Sequence, residues 1–408
     1  VFIRLTTWLA PILPFTTEEV WLERFSTAGD SVHMEDIPIT PSDWLKPELG
    51  EKWREIRQVR KVVTGAIEVF RQNKTIGSSL EASPLVYINS TSLFKKIKFK
   101  QRVAVDISDR DTSVEIFGSK FKMPCAIAPV GLQGMQHPDG EILAAKAAEN
   151  FGVPYTLSTM SVCSIEDVAR KTTNPFWFQL YVMKDHSFSK NLIKRAKNVG
   201  CSALILTVDL QILGQRHKDI KNGLSTPPKL TVRNLLNLIQ HPKWCLNMLR
   251  TPRRTFRNIV GHVDGVSDVS KLSAWVSEQF DPRLSWDDVS RIRDWWGGKF
   301  IIKGILEPED AVKALDVGAD AIIVSNHGGR QLDQTSSTIS MLPEIVDEVS
   351  GKVSVWLDGG IRSGQDILKA IALGADNTLI GRTMSYGLGA NGYLGCKKAL
   401  NILHNELG

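Results

Sequence analysis

Residues 321–333 read Ala-Ile-Ile-Val-Ser-Asn-His-Gly-Gly-Arg-Gln-Leu-Asp. The apolar run 321–324 predicts a buried strand of a parallel sheet, so His327 and Arg330 follow just beyond its carboxyl end. The two glycines between them let the backbone approach a ligand closely. Histidine moves protons near neutral pH, and arginine holds a carboxylate through two parallel hydrogen bonds. The pairing suggests proton abstraction beside a carboxylate; a glycine-rich turn with solvated polar residues is the alternative.

Apolar runs of this kind recur along the chain, and a helix-like segment follows each of them. The eight runs are 125–130, 155–158, 176–180, 203–208, 300–305, 321–325, 354–357 and 377–380. Alternating strands and helices imply right-handed crossovers and a parallel sheet. Eight such units predict an α/β fold, a closed (β/α)8 TIM barrel, preceded by a small all-α helical fragment.

Polar residues cluster where these runs end, which is the face that carries the active site in such barrels. They are Gln179 and Tyr181 after the third run, Thr207 and Asp209 after the fourth, Lys303 in the fifth, His327 and Arg330 after the sixth, Asp358 and Arg362 after the seventh, and Gly381 and Arg382 after the eighth. One ionisable residue at a strand end is unremarkable. Six sets at one rim predict a site.

The last two sets also predict a phosphate site. Residues 358–364 read Asp-Gly-Gly-Ile-Arg-Ser-Gly, and Gly381-Arg382 follows the eighth run. Loops after strands seven and eight of a barrel commonly bind phosphate through backbone N–H groups and a helix N-terminus. Two ordinary glycine-containing turns are the alternative. No G-x-G-x-x-G opens a helix after a strand, so a Rossmann-bound nicotinamide is not supported.

Several motifs, in matching order and spacing, carry a family resemblance. They are Ala128-Pro129-Val130-Gly131, Phe178-Gln179-Leu180-Tyr181, Leu206-Thr207-Val208-Asp209, Ile302-Lys303-Gly304, 325–333, 358–364 and Ile380-Gly381-Arg382. From about residue 89 to residue 408 the chain resembles the FMN-dependent α-hydroxy-acid dehydrogenase and oxidase family, above all its bacterial L-lactate dehydrogenase branch. The resemblance implies FMN as the cofactor.

The resemblance also implies residue roles. His327 would be the catalytic base, oriented by Asp209, with Tyr181, Arg216 and Arg330 holding the substrate. Lys303 would lie beside the flavin, where negative charge develops on reduction. The other implied FMN contacts are Ala128, Pro129, Val130, Ser158, Gln179, Thr207, Ser325, Asp358, Gly360, Arg362, Gly381 and Arg382.

The implied reaction is FMN-dependent oxidation of a small L-2-hydroxy acid, L-lactate to pyruvate above all, with electrons passed to quinone or another acceptor. A glycolate-type oxidase is the alternative within the fold. The family also suggests a homo-oligomer, and no metal is expected.

Residues 1–86 belong to a different pattern. They contain Leu-Ala-Pro-Ile-Leu-Pro-Phe at 9–15 and Gly-Ser-Ser-Leu-Glu-Ala at 77–82. This resembles a fragment of the tRNA anticodon-binding domain of isoleucyl-tRNA synthetases, without the synthetase ATP-site signatures. Its 10 basic and 12 acidic residues give a net charge of −2. Phosphate contacts dominate nucleic-acid affinity, so nucleic acid is not an expected partner.

The barrel domain is expected at 87–408, in an N-terminally truncated form. The family resemblance includes an earlier helical segment whose tyrosine binds the substrate carboxylate, and that motif is not found in this sequence. We therefore expect impaired activity. An inactive fusion product that retains the synthetase-like fragment is the alternative.

A basic insertion is expected at 210–262, after the fourth run. It holds 10 basic residues and one acidic residue, with Leu and Trp among them. Basic charge beside apolar side chains suggests contact with an anionic membrane surface, and a solvated lid over the active site is the alternative. The five scattered cysteines, the lack of a membrane-span pattern and the absence of a signal peptide indicate a cytoplasmic protein. We expect it to lie peripherally on the inner face of the cell membrane.

Overall fold

The computed structural model describes residues 2–11, 13–25, 31–36, 38, 93–101, 103–210, 238–260, 279, 281–332 and 335–408. The chain divides into two compact units, Val1–Tyr87 and Ile88–Gly408. The predicted ending at 77–82, the site residue Arg216 and residues 211–237 of the basic insertion lie outside the described residues.

The described part of the first unit is helical. It contains α1 (Phe2–Leu9), α2 (Pro14–Leu22) and a 3-10 turn (Val32–Met34). The Trp21 ring packs 4.7 Å from the Phe25 ring and 6.3 Å from the Phe2 ring. The Glu18 carboxylate accepts hydrogen bonds from Ser31 Oγ and the Val32 N–H, both at 3.0 Å, and so ties the turn to α2.

The second unit is an eight-stranded parallel barrel, as predicted. A hairpin of β1 (Val114–Ile116) and β2 (Ser119–Phe121) precedes it. The barrel strands are β3 (Cys125–Ile127), β4 (Thr156–Ser158), β5 (Trp177–Leu180), β6 (Ala203–Thr207), β7 (Lys299–Ile305), β8 (Ala321–Val324), β9 (Ser354–Asp358) and β10 (Asn377–Ile380).

The strands follow one another around the ring in sequence order, and the first barrel strand, β3, pairs with the last, β10. A parallel bridge between Ile127 and Tyr155 brings the two ends of the sheet together. The first apolar run was predicted to extend to residue 130, but β3 ends at Ile127. Ala128 still donates its N–H to the Ile380 carbonyl at 2.9 Å, whereas Pro129 has no N–H and cannot continue the ladder.

Helices cover the outside of the barrel. They are α3 (Gln133–Gln136), α4 (Gly140–Phe151), α5 (Ile165–Ala169), α6 (His186–Asn198), α7 (Pro242–Arg250), α8 (Trp286–Trp296), α9 (Pro308–Asp316), α10 (Thr338–Val349), α11 (Gly364–Ala372) and α12 (Arg382–Leu407), the last kinked at Asn391 and Gly392. Capping boxes begin α5, α8 and α11 at Ser164, Ser285 and Ser363. Each satisfies two backbone donors at the start of its helix.

Aromatic side chains close the amino-terminal end of the barrel. Phe117, at the hairpin turn, lies 6.4 Å from the ring of Trp177 and 5.7 Å from that of Trp356. The two tryptophan rings stack on each other at 5.3 Å. Because this end is filled with apolar side chains, a ligand approaches the barrel interior from the carboxyl ends of the strands.

The segment 251–260, after α7, is bound tightly to the barrel. Thr251 Oγ1 donates to Asp139 Oδ1 at 2.6 Å, and Arg253 donates to the same oxygen at 3.0 Å. Arg253 and Arg257 also pair with the buried carboxylate of Asp167, at 3.3 and 3.1 Å. The charges of these two arginines are therefore paired with carboxylates of the barrel, and membrane contact by the basic insertion stays a prediction.

A separate ion pair joins α5 to α6. The guanidinium of Arg195, which is buried, donates to both carboxylate oxygens of Glu166 at 2.8 Å. These bonds lower the pKa of Glu166 from 4.5 to about 2, despite partial burial. The contribution of the pair to stability is complete above the unfolded-state pKa and is lost as the pH falls from about 4.5 towards 2.

We therefore expect Glu166→Gln to lower the free energy of unfolding by roughly 1–2 kcal/mol at pH 7, a value discounted for the partly exposed carboxylate. The difference from wild type should shrink below about pH 4.5. Urea unfolding at pH 7 and pH 4 measures both effects, and the exposed Glu344→Gln serves as the control. A pH-independent difference would contradict the assignment.

Candidate active site

The strand ends bring the predicted polar residues to one rim. Thr207 at the end of β6 pairs in register with Lys303 of β7, and Lys303 pairs with Ile323 of β8. On the other side, Ser158 of β4 pairs with Gln179 of β5. The predicted residues that the structure describes thus follow adjacent strands around the carboxyl end of the barrel.

A buried ion pair lies at the centre of this rim. Lys303 Nζ is 2.7 Å from Asp358 Oδ2 and donates to Ser325 Oγ at 2.8 Å. Ser325 Oγ in turn donates to Asp358 Oδ2 at 2.9 Å. The three side chains form a closed triangle across β7, β8 and β9. The sequence predicts Asp358 as a contact at the phosphate end of the cofactor, and that role stays a prediction; its carboxylate is bound to Lys303 in the structure.

The pair remains charged in spite of its burial. Burial disfavours the charged amine, but the charges of Asp358 and Asp209 outweigh it and raise the pKa of Lys303. Burial likewise opposes the Asp358 carboxylate, but Lys303 and the Ser325 hydroxyl hold the pKa of Asp358 below its usual value. The site therefore contains a fixed positive charge whose counter-charge comes from the next strand but one.

His327 and Asp209 form a second pair beside the first. His327 Nδ1 lies 2.8 Å from Asp209 Oδ1. Because a carboxylate only accepts, Nδ1 carries the proton and Nε2 is left to act as a base. Nε2 lies 3.4 Å from the Tyr181 hydroxyl. The structure thus brings together three residues that the sequence predicted, from β5, β6 and β8.

The backbone around His327 is strained into place. Its φ of 56° lies in the left-handed region, which costs a non-glycine residue about 1–2 kcal/mol. Ser325 Oγ, which bridges the ion pair, also accepts the His327 N–H at 3.1 Å. Gly304 has φ 110°, and a Cβ there would lie 2.8 Å from Asp209 Cβ. Glycine is therefore required at 304 so that Asp209 can approach, a role that sequence analysis missed.

Two buried polar groups at the rim are suited to hydrogen-bond a ligand. Gln179 uses its Oε1 to accept from Ser158 Oγ at 3.0 Å, but its Nε2 has no partner among the described residues. Thr207 Oγ1 is also unpartnered there, and both residues are buried. Unpaired buried polar groups are rare and costly. With the fixed charge of Lys303 they suit a ligand that carries several polar acceptors and develops negative charge, as FMN does.

The remaining predicted residues lie around the same end of the barrel. Ala128, Pro129 and Val130 leave β3 beside Gly381, where a Cβ would lie 3.7 Å from Val130 Cγ2. Gly360 (φ 87°) and Arg362 precede α11, and Gly381 and Arg382 begin α12. Arg330, Arg362 and Arg382 are exposed at this rim. A phosphate at these two helix starts would meet the exposed arginines. At the start of α11 the N–H groups of Arg362 and Ser363 are already bound by Asp366, and that of Gly364 by Glu406.

The family of the barrel is established by comparison. Residues 82–408 match the sequence model of the FMN-dependent dehydrogenase family, and the chain belongs to that family. Residues 1–86 match the anticodon-binding domain of tRNA ligases. Both recognised resemblances are confirmed.

Named relatives agree with this assignment. The chain is 46% identical over 319 residues to an L-lactate dehydrogenase of Haemophilus influenzae, covering 78% of this chain and 84% of the relative. An L-lactate dehydrogenase of Vibrio parahaemolyticus is 45% identical over 312 residues, covering 76% and 82% of the two chains.

Solved structures share the barrel. A monotopic membrane protein, (S)-mandelate dehydrogenase, superposes with a TM-score of 0.74 at 36% identity, covering 78% of this chain and 84% of that one. A mandelate oxidase gives 0.65 at 37% identity, with 78% and 82% covered. The protein is an FMN-dependent oxidoreductase that acts on hydroxy acids, and FMN is its cofactor.

The buried pair leads to a stability prediction. Lys303→Met leaves the Asp358 carboxylate buried without its counter-charge, so we expect a loss of roughly 3–5 kcal/mol in the free energy of unfolding. The matched control is Lys313→Met, which breaks an exposed pair with Asp310 and should cost about 0.5 kcal/mol. Urea unfolding of the two variants measures both losses in the free energy of unfolding. Equal losses would mean that the charge of Lys303 carries no structural role.

Proposed function

We propose that this protein oxidises a small L-2-hydroxy acid, with L-lactate to pyruvate as the reaction, and passes the electrons to a quinone or another acceptor. The hydrogen-bonded pair of His327 and Asp209 carries the proposal. It supplies a base with an unprotonated Nε2 at the strand ends, beside a buried positive charge. The identity to L-lactate dehydrogenases favours lactate within this substrate class.

His327 takes a proton from the substrate at Nε2. Asp209 holds the ring through Nδ1 and stabilises the imidazolium that forms, because the opposite charge lies 2.8 Å away. The Tyr181 hydroxyl, 3.4 Å from Nε2, lies where it can bond the substrate oxygen atoms. Arg330, three residues beyond His327, pairs with the substrate carboxylate, and Arg216 completes the predicted substrate set.

When bound, FMN would supply a two-electron acceptor that also takes up the second of the two hydrogens lost by the hydroxy acid. Lys303 holds a fixed positive charge where negative charge develops, and Ser158, Gln179 and Thr207 supply hydrogen-bonding groups on the same side of the rim. The predicted neighbours of the other parts of the cofactor are Ala128, Pro129, Val130, Ser325, Asp358, Gly360, Arg362, Gly381 and Arg382.

An inactive fusion and a glycolate-type oxidase are the two alternatives, and they differ in what they predict. An inactive fusion would be free to lose the base, its carboxylate partner and the buried lysine, yet all three are present with short contacts. A glycolate-type oxidase would act on the substrate that lacks the methyl group of lactate, and steady-state rates with the two acids separate these readings. The predicted homo-oligomer and the lack of nucleic-acid binding stay predictions.

The base can be tested directly. We expect His327→Gln to retain FMN and to slow flavin reduction by L-lactate about 10²–10⁴-fold, because the amide cannot take the proton. Anaerobic rapid mixing measures the loss of flavin absorbance. The control is His404→Gln, because His404 lies on the last helix, α12, where its imidazole bonds the Thr112 hydroxyl. Wild-type reduction by the His327 variant would assign the base elsewhere.

We also propose that the protein binds a membrane surface through α7. Leu246 and Leu249 of this helix and Ile239 just before it expose 55%, 68% and 67% of their surface. Met248 of the same helix is buried, so Leu246 and Leu249 lie on its exposed side. Within the described residues, no helix combines the length and apolarity needed to cross a bilayer. A peripheral membrane location fits the monotopic relative, and a position on the inner face of the cell membrane stays a prediction.

Substitution tests this surface without disturbing the barrel. We expect Leu246→Ser with Leu249→Ser to weaken binding to anionic vesicles at least about tenfold, since a fully buried leucine contributes roughly 1.5–3 kcal/mol. Vesicle sedimentation at low and high salt measures the loss. Leu394→Ser, an equally exposed leucine on α12, is the control and should bind like wild type. Equal binding by all three proteins would refute a membrane role for α7.

A further inference from the structure

Asn258 is a fully buried polar residue that no motif of the sequence marks. It lies in the segment 251–260, which the barrel holds through Asp139 and Asp167. Its side chain points away from that outer clamp and into the barrel wall, towards the carboxyl end of β4.

The carboxamide of Asn258 is saturated with hydrogen bonds. Nδ2 donates to Ser161 Oγ at 2.9 Å and, at 3.4 Å, to the carbonyl oxygens of Ser158 and Thr159. Oδ1 accepts the Ile165 N–H at 2.9 Å and Arg195 Nη2 at 3.4 Å. The partners fix which end of the amide faces which way, because backbone carbonyls need a donor and the Ile165 N–H needs an acceptor.

The turn bound by Asn258 also holds Gln179. Ser158 Oγ donates to Gln179 Oε1 at 3.0 Å, and the Thr159 N–H approaches the same oxygen at 3.4 Å. Thr159 Oγ1 donates to the Gln179 backbone carbonyl at 2.6 Å. The carboxamide oxygen of Gln179 therefore accepts hydrogen bonds from the turn, and its Nε2 is the group available to a ligand.

A second set of bonds ties Asn258 to the outside of the barrel. Arg195 Nη1 donates to the Asn258 carbonyl at 3.0 Å, while the rest of the guanidinium is bound to Glu166. The segment that contains Asn258 begins directly after α7, the helix with the exposed leucines. One short stretch of chain thus joins the helix proposed to bind the membrane to the turn that orients Gln179.

We propose that Asn258 is a positioning residue for the flavin, which fixes the turn 158–161 so that Gln179 presents its Nε2 to the cofactor. The proposal rests on the proposed function in taking Gln179 as an FMN ligand. It makes the cofactor site dependent on the segment after the basic insertion, although that segment does not line the rim. A loosened segment releases the turn and, through it, the orientation of the Gln179 amide.

Asn258→Asp tests this in the full-length protein. The substitution keeps the shape and the acceptor but removes both donors facing the turn. We expect FMN to dissociate about tenfold more readily, the effect of losing one hydrogen bond, with a displaced flavin absorption band. Flavin fluorescence titration and the visible spectrum measure these without any substrate. The exposed Glu344→Gln is the control and should keep the wild-type affinity and spectrum.

Ser161→Ala provides a second, milder variant, because it removes only the 2.9 Å acceptor of Asn258. It should shift the flavin band in the same direction by a smaller amount, and it decides the matter if the aspartate variant does not fold. Wild-type FMN affinity and spectrum in the variants that fold, with only the free energy of unfolding lowered, would reduce Asn258 to a structural role. A protein that binds FMN normally but is not reduced by L-lactate would refute the proposed substrate and leave this inference standing.

Discussion

The buried triangle of Lys303, Ser325 and Asp358 constrains the rest of the site. Two opposite charges at low exposure are tolerated only when both are paired and hydrogen-bonded, so β7, β8 and β9 must hold their mutual register closely. The same serine hydroxyl accepts the backbone N–H of His327. The electrostatics of the flavin pocket and the position of the base therefore belong to a single network. A shift of one strand would disturb both.

The sequence predicts much of this because the barrel uses local signals. Fully buried parallel strands are continuous apolar runs, and the active rim follows where they end, so His327, Asp209 and Lys303 were found together. The apolar run 125–130 is longer than its strand. Its apolar residues continue past Ile127, but Pro129 has no N–H and so ends the hydrogen-bond ladder. Asn258 left no such signal, because its bonds to Ser158 and Ser161 join residues about a hundred positions apart. The ion pairs of Arg253 and Arg257 were hidden for the same reason.

The unpaired groups at the rim link the cofactor to the stability of the fold. Gln179 Nε2 and Thr207 Oγ1 are buried without partners in the described structure, a cost that the rest of the barrel offsets. A cofactor that supplies acceptors removes this cost and binds only the folded chain, so it stabilises the barrel by mass action. The polar design of the rim thus serves retention of the cofactor as well as chemistry.

The order of strands around the ring has a consequence for synthesis on the ribosome. β3 pairs with β10, so one edge of the first barrel strand has no partner until the last strand leaves the exit tunnel. The helix α12 then packs against α4, which follows β3. Until that moment the nascent barrel presents an open, apolar sheet edge, the kind of surface that chaperones bind and that pairs with other chains.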